Sequence, residues 1–166
     1  MIDRFLDNYI ASELKRKNNE ERINHKSSGK ISASMLGLPL QWQVLKILGV
    51  DGREIDDYTL RKFSRGKDVE SWAMKYLPDS GQQKFVEYRN CVGYVDAIVD
   101  ASNWDKDYGT IPLEVKSVAN MKFKRIEEDD EADRSHQLQA CLYALALKNK
   151  YFGICYIASD DLRIKT

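Results

Sequence analysis

Four short patterns follow one another along the chain: Gly66-x-x-x-Glu70, Gly93-x-x-Asp96, Glu114-x-Lys116 and Gln139-x-x-x-Tyr143. Two acids and a lysine brought together on neighbouring strands could hold a divalent cation and hydrolyse a phosphodiester. The triplet Glu114-Val115-Lys116 carries little alone, because Glu13-Leu14-Lys15 repeats it without such company. A salt bridge on an exposed sheet face would also look like this. The ordered company of Glu70, Asp96 and the Gln–Tyr pair gives the triplet its weight.

Side chains alternate across a strand, so Glu114 and Lys116 share one face while Leu113 and Val115 take the other. If the strand carrying Asp96 pairs with the next one through the loop 101–109, Asp96 comes close to Glu114. Two facing carboxylates raise each other's pKa. A hard cation such as Mg²⁺ or Mn²⁺ relieves that conflict, because it prefers oxygen ligands. Lys116 beside them could stabilise charge at a phosphorus or help deprotonate a water. No G-x-S-x-G elbow, Cys–His setting or P-loop glycine pattern supports a different reaction.

These residues need elements to hold them. Ile2, Phe5, Leu6, Tyr9, Ile10 and Leu14 recur at helical spacing, and the helix frays into the polar run 17–30. Ser32 or Ser34 can cap a second helix carrying Leu36, Trp42, Leu45 and Leu48, with Pro39 near its start and Gly49 at its end. Asp57 is the expected cap of a third helix, closed by Pro78, Ser80 and Gly81. The period then changes to two: 84–89, 93–100 and 110–118 read as strands. A periodic helix over 131–149 follows, then a strand at 151–158 that 162–165 can join. The expectation is an α/β fold in one domain, with a central mixed sheet flanked by helices. Residues 1–80 are mainly helical and 81–166 form the α/β core.

At 166 residues, 43% apolar and 31% charged, the chain has the composition of an ordinary globular domain. No stretch approaches the roughly 20 apolar residues of a membrane span. No secretory signal opens it, so a cytoplasmic setting, in a cell or in the host of a virus or phage, is expected. Cys91, Cys141 and Cys155 are widely spaced and read as buried thiols, not as a disulfide framework or a metal cluster. Basic and acidic residues balance at 26 each, so a nucleic-acid partner would depend on local clusters. Lys15-Arg16-Lys17 with Arg22 is one; Lys122, Lys124 and Arg125 form another. Either could be only a solvated face. Trp104, in the hydrophilic loop SNWDKDYG, is the aromatic best suited to stack on a base. His25 and His136 have no evident ligand partners.

GKDVE, GYVD, EVK and QACLY, in that order, resemble the PD-(D/E)XK nuclease superfamily, and within it the RecB-like exonuclease branch. The resemblance runs from about Ile31 to Tyr143 and rests on short motifs. It implies that Asp96 and Glu114 are metal ligands, with the Val115 carbonyl as a third oxygen, and that Lys116 is the catalytic lysine. Glu70 stands where relatives have His or Glu, and would complete a second metal site or hold its water. Gln139 and Tyr143 would touch the DNA backbone or position the lysine, and His136 also recurs in relatives. The segment KISASMLGLPLQWQVLKILGV resembles the opening of iron–sulfur members of the branch, but Leu38-Pro39 stands where those have Cys-Pro. A 4Fe–4S cluster is therefore not expected.

The resemblance implies a Mg²⁺- or Mn²⁺-dependent DNase acting on single-stranded DNA or DNA ends, in recombination, repair or phage DNA processing. The N-terminal helices would form one wall of a DNA groove and Lys122 to Arg125 the other. A homo-oligomer or a recombination partner protein is compatible with it. Two rivals stand beside this reading: a binding module of the same fold that grips nucleic acid without cutting, and a site-specific endonuclease giving discrete products.

Overall fold

The segment Thr110–Val118 has apolar residues in both registers: Ile111, Leu113 and Val115 in one, Pro112 and Val118 in the other. That pattern suits a strand covered on both faces. In the computed structural model, which describes residues 2–24, 29–50, 52, 54–77 and 83–166, it is the longest strand. The elements run α1 (Ile2–Asn24), β1 (Ile31–Ser32), a 3-10 turn (Ala33–Met35), α2 (Leu40–Ile47) and α3 (Asp57–Met74). There follow β2 (Lys84–Tyr88), β3 (Cys91–Val95), β4 (Ala97–Asp100), β5 (Thr110–Val118), α4 (Asn120–Asp129), α5 (Arg134–Leu147), β6 (Gly153–Ala158) and β7 (Ile164–Lys165). The fold is α/β.

The strands make two mixed sheets where one was expected. The larger has the order β4-β5-β6-β7, with β5 and β6 parallel and both outer pairs antiparallel. The smaller has the order β1-β3-β2, with β1 parallel to β3. The expected strand 93–100 is divided at Asp96, because its two halves pair with different partners. Val95 stands opposite Lys84 of β2, whereas Ala97 stands opposite Leu113 of β5. Asp96 lies at the crossover, where its carbonyl accepts from Gln83 N–H at 3.2 Å.

Helices cover both faces of the larger sheet. On one face, Val69 and Ala73 of α3 bury Ala97, Val99, Ile111, Leu113, Val115, Cys155 and Ile157. On the other, Phe123 and Ile126 of α4 pack on Val118, Tyr156 and Ala158. Helix α5 sets Leu142 and Tyr143 against Val86 and Val95 of the smaller sheet and Ala33 of the 3-10 turn. The N-terminal half is tied into the core, because β1 pairs with β3 and α1 packs along α3.

Several boundaries differ from the sequence reading. Helix α1 continues through the polar run to Asn24, held in part by Arg16, whose guanidinium pairs with Glu13 and Glu20 at 2.9 and 2.6 Å. Ser32 and Ser34 bond each other at 3.0 Å and do not cap α2; Pro39 precedes its first residue instead. Helix α4 was read only as a basic segment, because its apolar stripe is narrow: Phe123 and Ile126 are its only buried residues. The last long helix begins at Arg134 rather than at 131, where the Asp133 carboxylate accepts from Ser135 N–H at 3.0 Å. Pro78, Ser80, Gly81 and His25 lie outside the described residues.

The cap of α3 is Asp56, not Asp57: its Oδ1 accepts from Thr59 N–H at 2.8 Å and its Oδ2 from the Thr59 hydroxyl at 3.0 Å. Asp57, one residue on, pairs with Lys15 at 2.9 Å across an exposed surface. Asp56→Ala is expected to lower the urea-unfolding midpoint more than Asp57→Ala does. Asp57→Ala should cost roughly half a kcal/mol or less, as exposed ion pairs do. The reverse order would assign the cap to Asp57.

Candidate metal-dependent hydrolytic site

Strand β5 outruns its neighbour. Pairing with β4 begins at Ala97 opposite Leu113 and runs towards Thr110, so β4 leaves residues 114–118 uncovered on that edge. The backbone N–H groups left there find carboxylates. Val115 N–H donates to Asp96 Oδ2 at 2.8 Å, and Ser117 N–H donates to Glu70 Oε1 at 3.2 Å. In a strand the N–H and C=O of one residue point to the same edge, so the Val115 carbonyl shares this edge with Asp96. The Glu70 of the first motif and the Asp96 of the second thus meet the third motif through its backbone.

Glu114 and Lys116 project from the face opposite α3, as alternation requires. The Glu114 carboxylate is 1% exposed and forms an ion pair with the Lys116 ammonium. Apart from that contact, neither of its oxygens has a hydrogen-bond partner among the described residues. Burial, with the Asp96 charge added, pushes the Glu114 pKa up to about 8 against the pull of Lys116. Asp96 is also raised by burial: the single bond from Val115 N–H favours its charge without offsetting desolvation. Glu70 is raised for the same reason. Burial opposes the Lys116 charge, but Glu114, Asp96 and Glu70 override it and hold the ammonium above the ordinary lysine range.

Helix α5 lies over this face. Gln139 Nε2 donates to Tyr143 Oη at 2.9 Å, and both side chains are buried. Burial and the nearby Glu114 hold the Tyr143 phenol above its usual range. The Tyr143 ring rests on Gly93, where a Cβ would sit 2.7 Å from ring carbon Cε1 and 2.8 Å from the Ala33 Cβ. The glycine of the second motif therefore makes room for the tyrosine of the fourth. Gly66 has no such role, since a Cβ there would meet nothing within 4 Å.

One member of the neighbourhood had no signal of its own in the sequence. Tyr156 of β6 stands directly across from Lys116, on the same sheet face. Its hydroxyl accepts from Asp133 N–H at 3.0 Å and lies 2.9 Å from His136 Nδ1. It looked like one more core aromatic, and only the parallel register of β5 and β6 identifies its neighbour.

The expected nucleic-acid contacts are only partly gathered. Helix α4 starts one residue beyond β5, after Ala119, which brings Lys122, Lys124 and Arg125 towards the Lys116 end of the strand. Lys124 and Arg125 are exposed, whereas Lys122 is engaged with Asp133 at 2.8 Å. Trp104 is 64% exposed but sits in the β4–β5 loop, beyond the opposite end of β5. Lys116 is six residues along from Thr110, about 20 Å at strand rise. The structure therefore does not bring Trp104 to the acids. Among the described residues, no three His, Cys, Asp or Glu side chains gather as a ready metal group. The donor set that fits a cation is two carboxylates and a carbonyl: Asp96, the unpartnered Glu114 and the Val115 backbone.

Two measurements probe this arrangement. In the folded chain burial pushes the Glu114 pKa up to about 8, against 4.5 for an ordinary glutamate, even beside the Lys116 ammonium. The folded state binds the extra proton within that window, so stability falls as pH rises through it. In EDTA, wild-type stability should decline relative to Glu114→Gln between pH 5 and pH 8, by a few kcal/mol; a constant difference would show that Glu114 ionises without penalty. Gly93→Ala should destabilise by about 1–3 kcal/mol through the displaced Tyr143 ring, and a neutral result would remove that packing role.

No family model matches the chain, and no curated protein does. Among solved structures, the crystal structure described as SSO0001 aligns with 99% of this chain and 78% of its own, at 13% identity and a TM-score of 0.46.

Proposed function

We propose that this chain is a Mg²⁺- or Mn²⁺-dependent deoxyribonuclease with a PD-(D/E)XK core of the RecB-like exonuclease branch. The observation that carries this reading is Glu114: a buried carboxylate whose only partner among the described residues is Lys116, beside a second, half-buried carboxylate that raises its pKa. Such a pair is costly in a structural role, because a buried acid normally finds hydrogen bonds or neutralises. A divalent cation would supply the missing charge. Asp96, Glu114 and the Val115 carbonyl would hold it, and bound there it would polarise a phosphoryl oxygen and lower the pKa of a water.

The chain's own groups have distinct parts in this reading. Lys116, held protonated by the surrounding acids, would meet the charge that builds on the phosphate in the transition state. Glu70, fixed by Ser117 N–H, would orient the attacking water from the edge of β5. The Gln139–Tyr143 pair, packed on Gly93, would keep helix α5 in place over the lysine. Lys124 and Arg125, exposed on α4 beyond the lysine end of β5, would follow the phosphate backbone. Single-stranded DNA or DNA ends are the substrate proposed.

The test is cleavage of end-labelled single- and double-stranded DNA, linear and circular, with Mg²⁺, Mn²⁺ or EDTA. Metal-dependent loss of linear substrate is expected, and Lys116→Ala should lower its rate on the order of 100-fold or more. Cleavage at the wild-type rate by Lys116→Ala would remove the lysine from the mechanism. Binding without cleavage under any metal would make the chain a nucleic-acid-binding module, and discrete products from circles would make it an endonuclease.

A further inference from the structure

The hydroxyl of Tyr156 decides which nitrogen of His136 carries the proton. Tyr156 is 2% exposed, so its hydroxyl must complete its hydrogen bonds within the protein. A phenol has one hydrogen to give and lone pairs to accept with. Asp133 N–H already donates to the oxygen at 3.0 Å. The other partner among the described residues is His136 Nδ1, at 2.9 Å. If Nδ1 carried the proton, the oxygen would accept twice and its own hydrogen would have no acceptor. With Nδ1 bare, the phenol donates to it and every group is used. The imidazole proton then sits on Nε2.

That nitrogen has no partner among the described residues, and His136 is only half-buried. The ring is held near the lysine: Tyr156 is the cross-strand neighbour of Lys116, and the ammonium acts electrostatically on the ring. His136, Gln139 and Tyr143 lie at i, i+3 and i+7, one stripe of α5 facing the sheet surface that carries Glu114 and Lys116. Burial, with help from Lys122 and Lys116, pulls the His136 pKa down to about 4 despite Asp133. The ring is therefore uncharged at neutral pH and adds no second cation beside Lys116.

We infer that His136, locked by Tyr156 as the Nε2–H tautomer, is a substrate-binding residue whose Nε2–H donates to a non-bridging phosphate oxygen of the strand lying against Lys116. Tyr156 is its positioning residue: it never meets the substrate and acts only through the tautomer. The inference rests on the nuclease reading for the identity of the phosphate, while the tautomer stands apart from it. An anionic oxygen is the acceptor that suits both an ammonium and a neutral N–H placed side by side.

The chain has 2 histidines, so long-range ¹⁵N–¹H spectra of the rings are simple, and His136→Gln identifies the signals. The expected result is a protonated Nε2 and a bare Nδ1 in the wild type, with the two tautomers mixed in Tyr156→Phe. Adding a short single-stranded oligodeoxynucleotide in EDTA should move the His136 Nε2 signal. In kinetics, His136→Ala should raise KM for that oligonucleotide about tenfold, the worth of one hydrogen bond to a charged group. His136→Gln, whose amide also donates, should recover most of the loss, which a merely structural role would not allow. A ring protonated on Nδ1, an Nε2 signal indifferent to saturating oligonucleotide, or an unchanged KM in His136→Ala would each overturn the inference. If the signal moves but no metal supports cleavage, the nuclease reading fails and His136 remains a phosphate-binding residue.

Discussion

The structure depends on an unequal pairing of strands. β5 is nine residues long and β4 only four, so backbone donors in the middle of the molecule lose their expected partners. A buried N–H without an acceptor costs about 1–3 kcal/mol. Two carboxylates meet that demand: Asp96 from the strand crossover and Glu70 from α3. Once they are recruited as acceptors, they stand beside Glu114 and Lys116, and the charge balance of the region follows. A short strand thus produces a cluster of acids. A full-length β4 would have satisfied the same donors with backbone carbonyls and left no such cluster.

The electrostatics follow from burial more than from mutual repulsion. Desolvation leads the rise in pKa at Glu114, Asp96 and Glu70; the Asp96 charge adds to it at Glu114 and Glu70, whereas at Asp96 the Val115 N–H and Lys116 only oppose it. Lys116 behaves oppositely, because three carboxylates together outweigh the cost of burying its charge. Glu114 is the group left short: among the described residues it has one ion-pair partner and no backbone donor. The region is thus arranged around a deficit of positive charge at one buried carboxylate.

Much of this was legible in the sequence, for reasons that can be named. Alternation along a strand placed Glu114 with Lys116 and apart from Val115, and the hairpin brought Asp96 to them. Helical spacing placed Gln139 on Tyr143. These are local periodicities, and local geometry settles them. The division of 93–100 into two strands was hidden because Val95 and Ala97 are apolar on both sides of Asp96, and nothing in the residues says that the partner changes. The bond from Ser117 N–H to Glu70 spans 47 positions and uses a backbone donor that no side-chain pattern records. Trp104 is a different case: an exposed aromatic in a polar loop suggests a contact, and only the direction of β5 shows that it stands away from the acids.

Asp96 belongs to both sheets at once. Its carbonyl accepts from Gln83 at the head of β2, and its carboxylate accepts from Val115 of β5. One residue therefore joins the two sheets through its main chain and its side chain. A shift of the smaller sheet at Gln83 would be passed to the carboxylate that reaches Val115, so the position of this acid reports how the two sheets sit on each other.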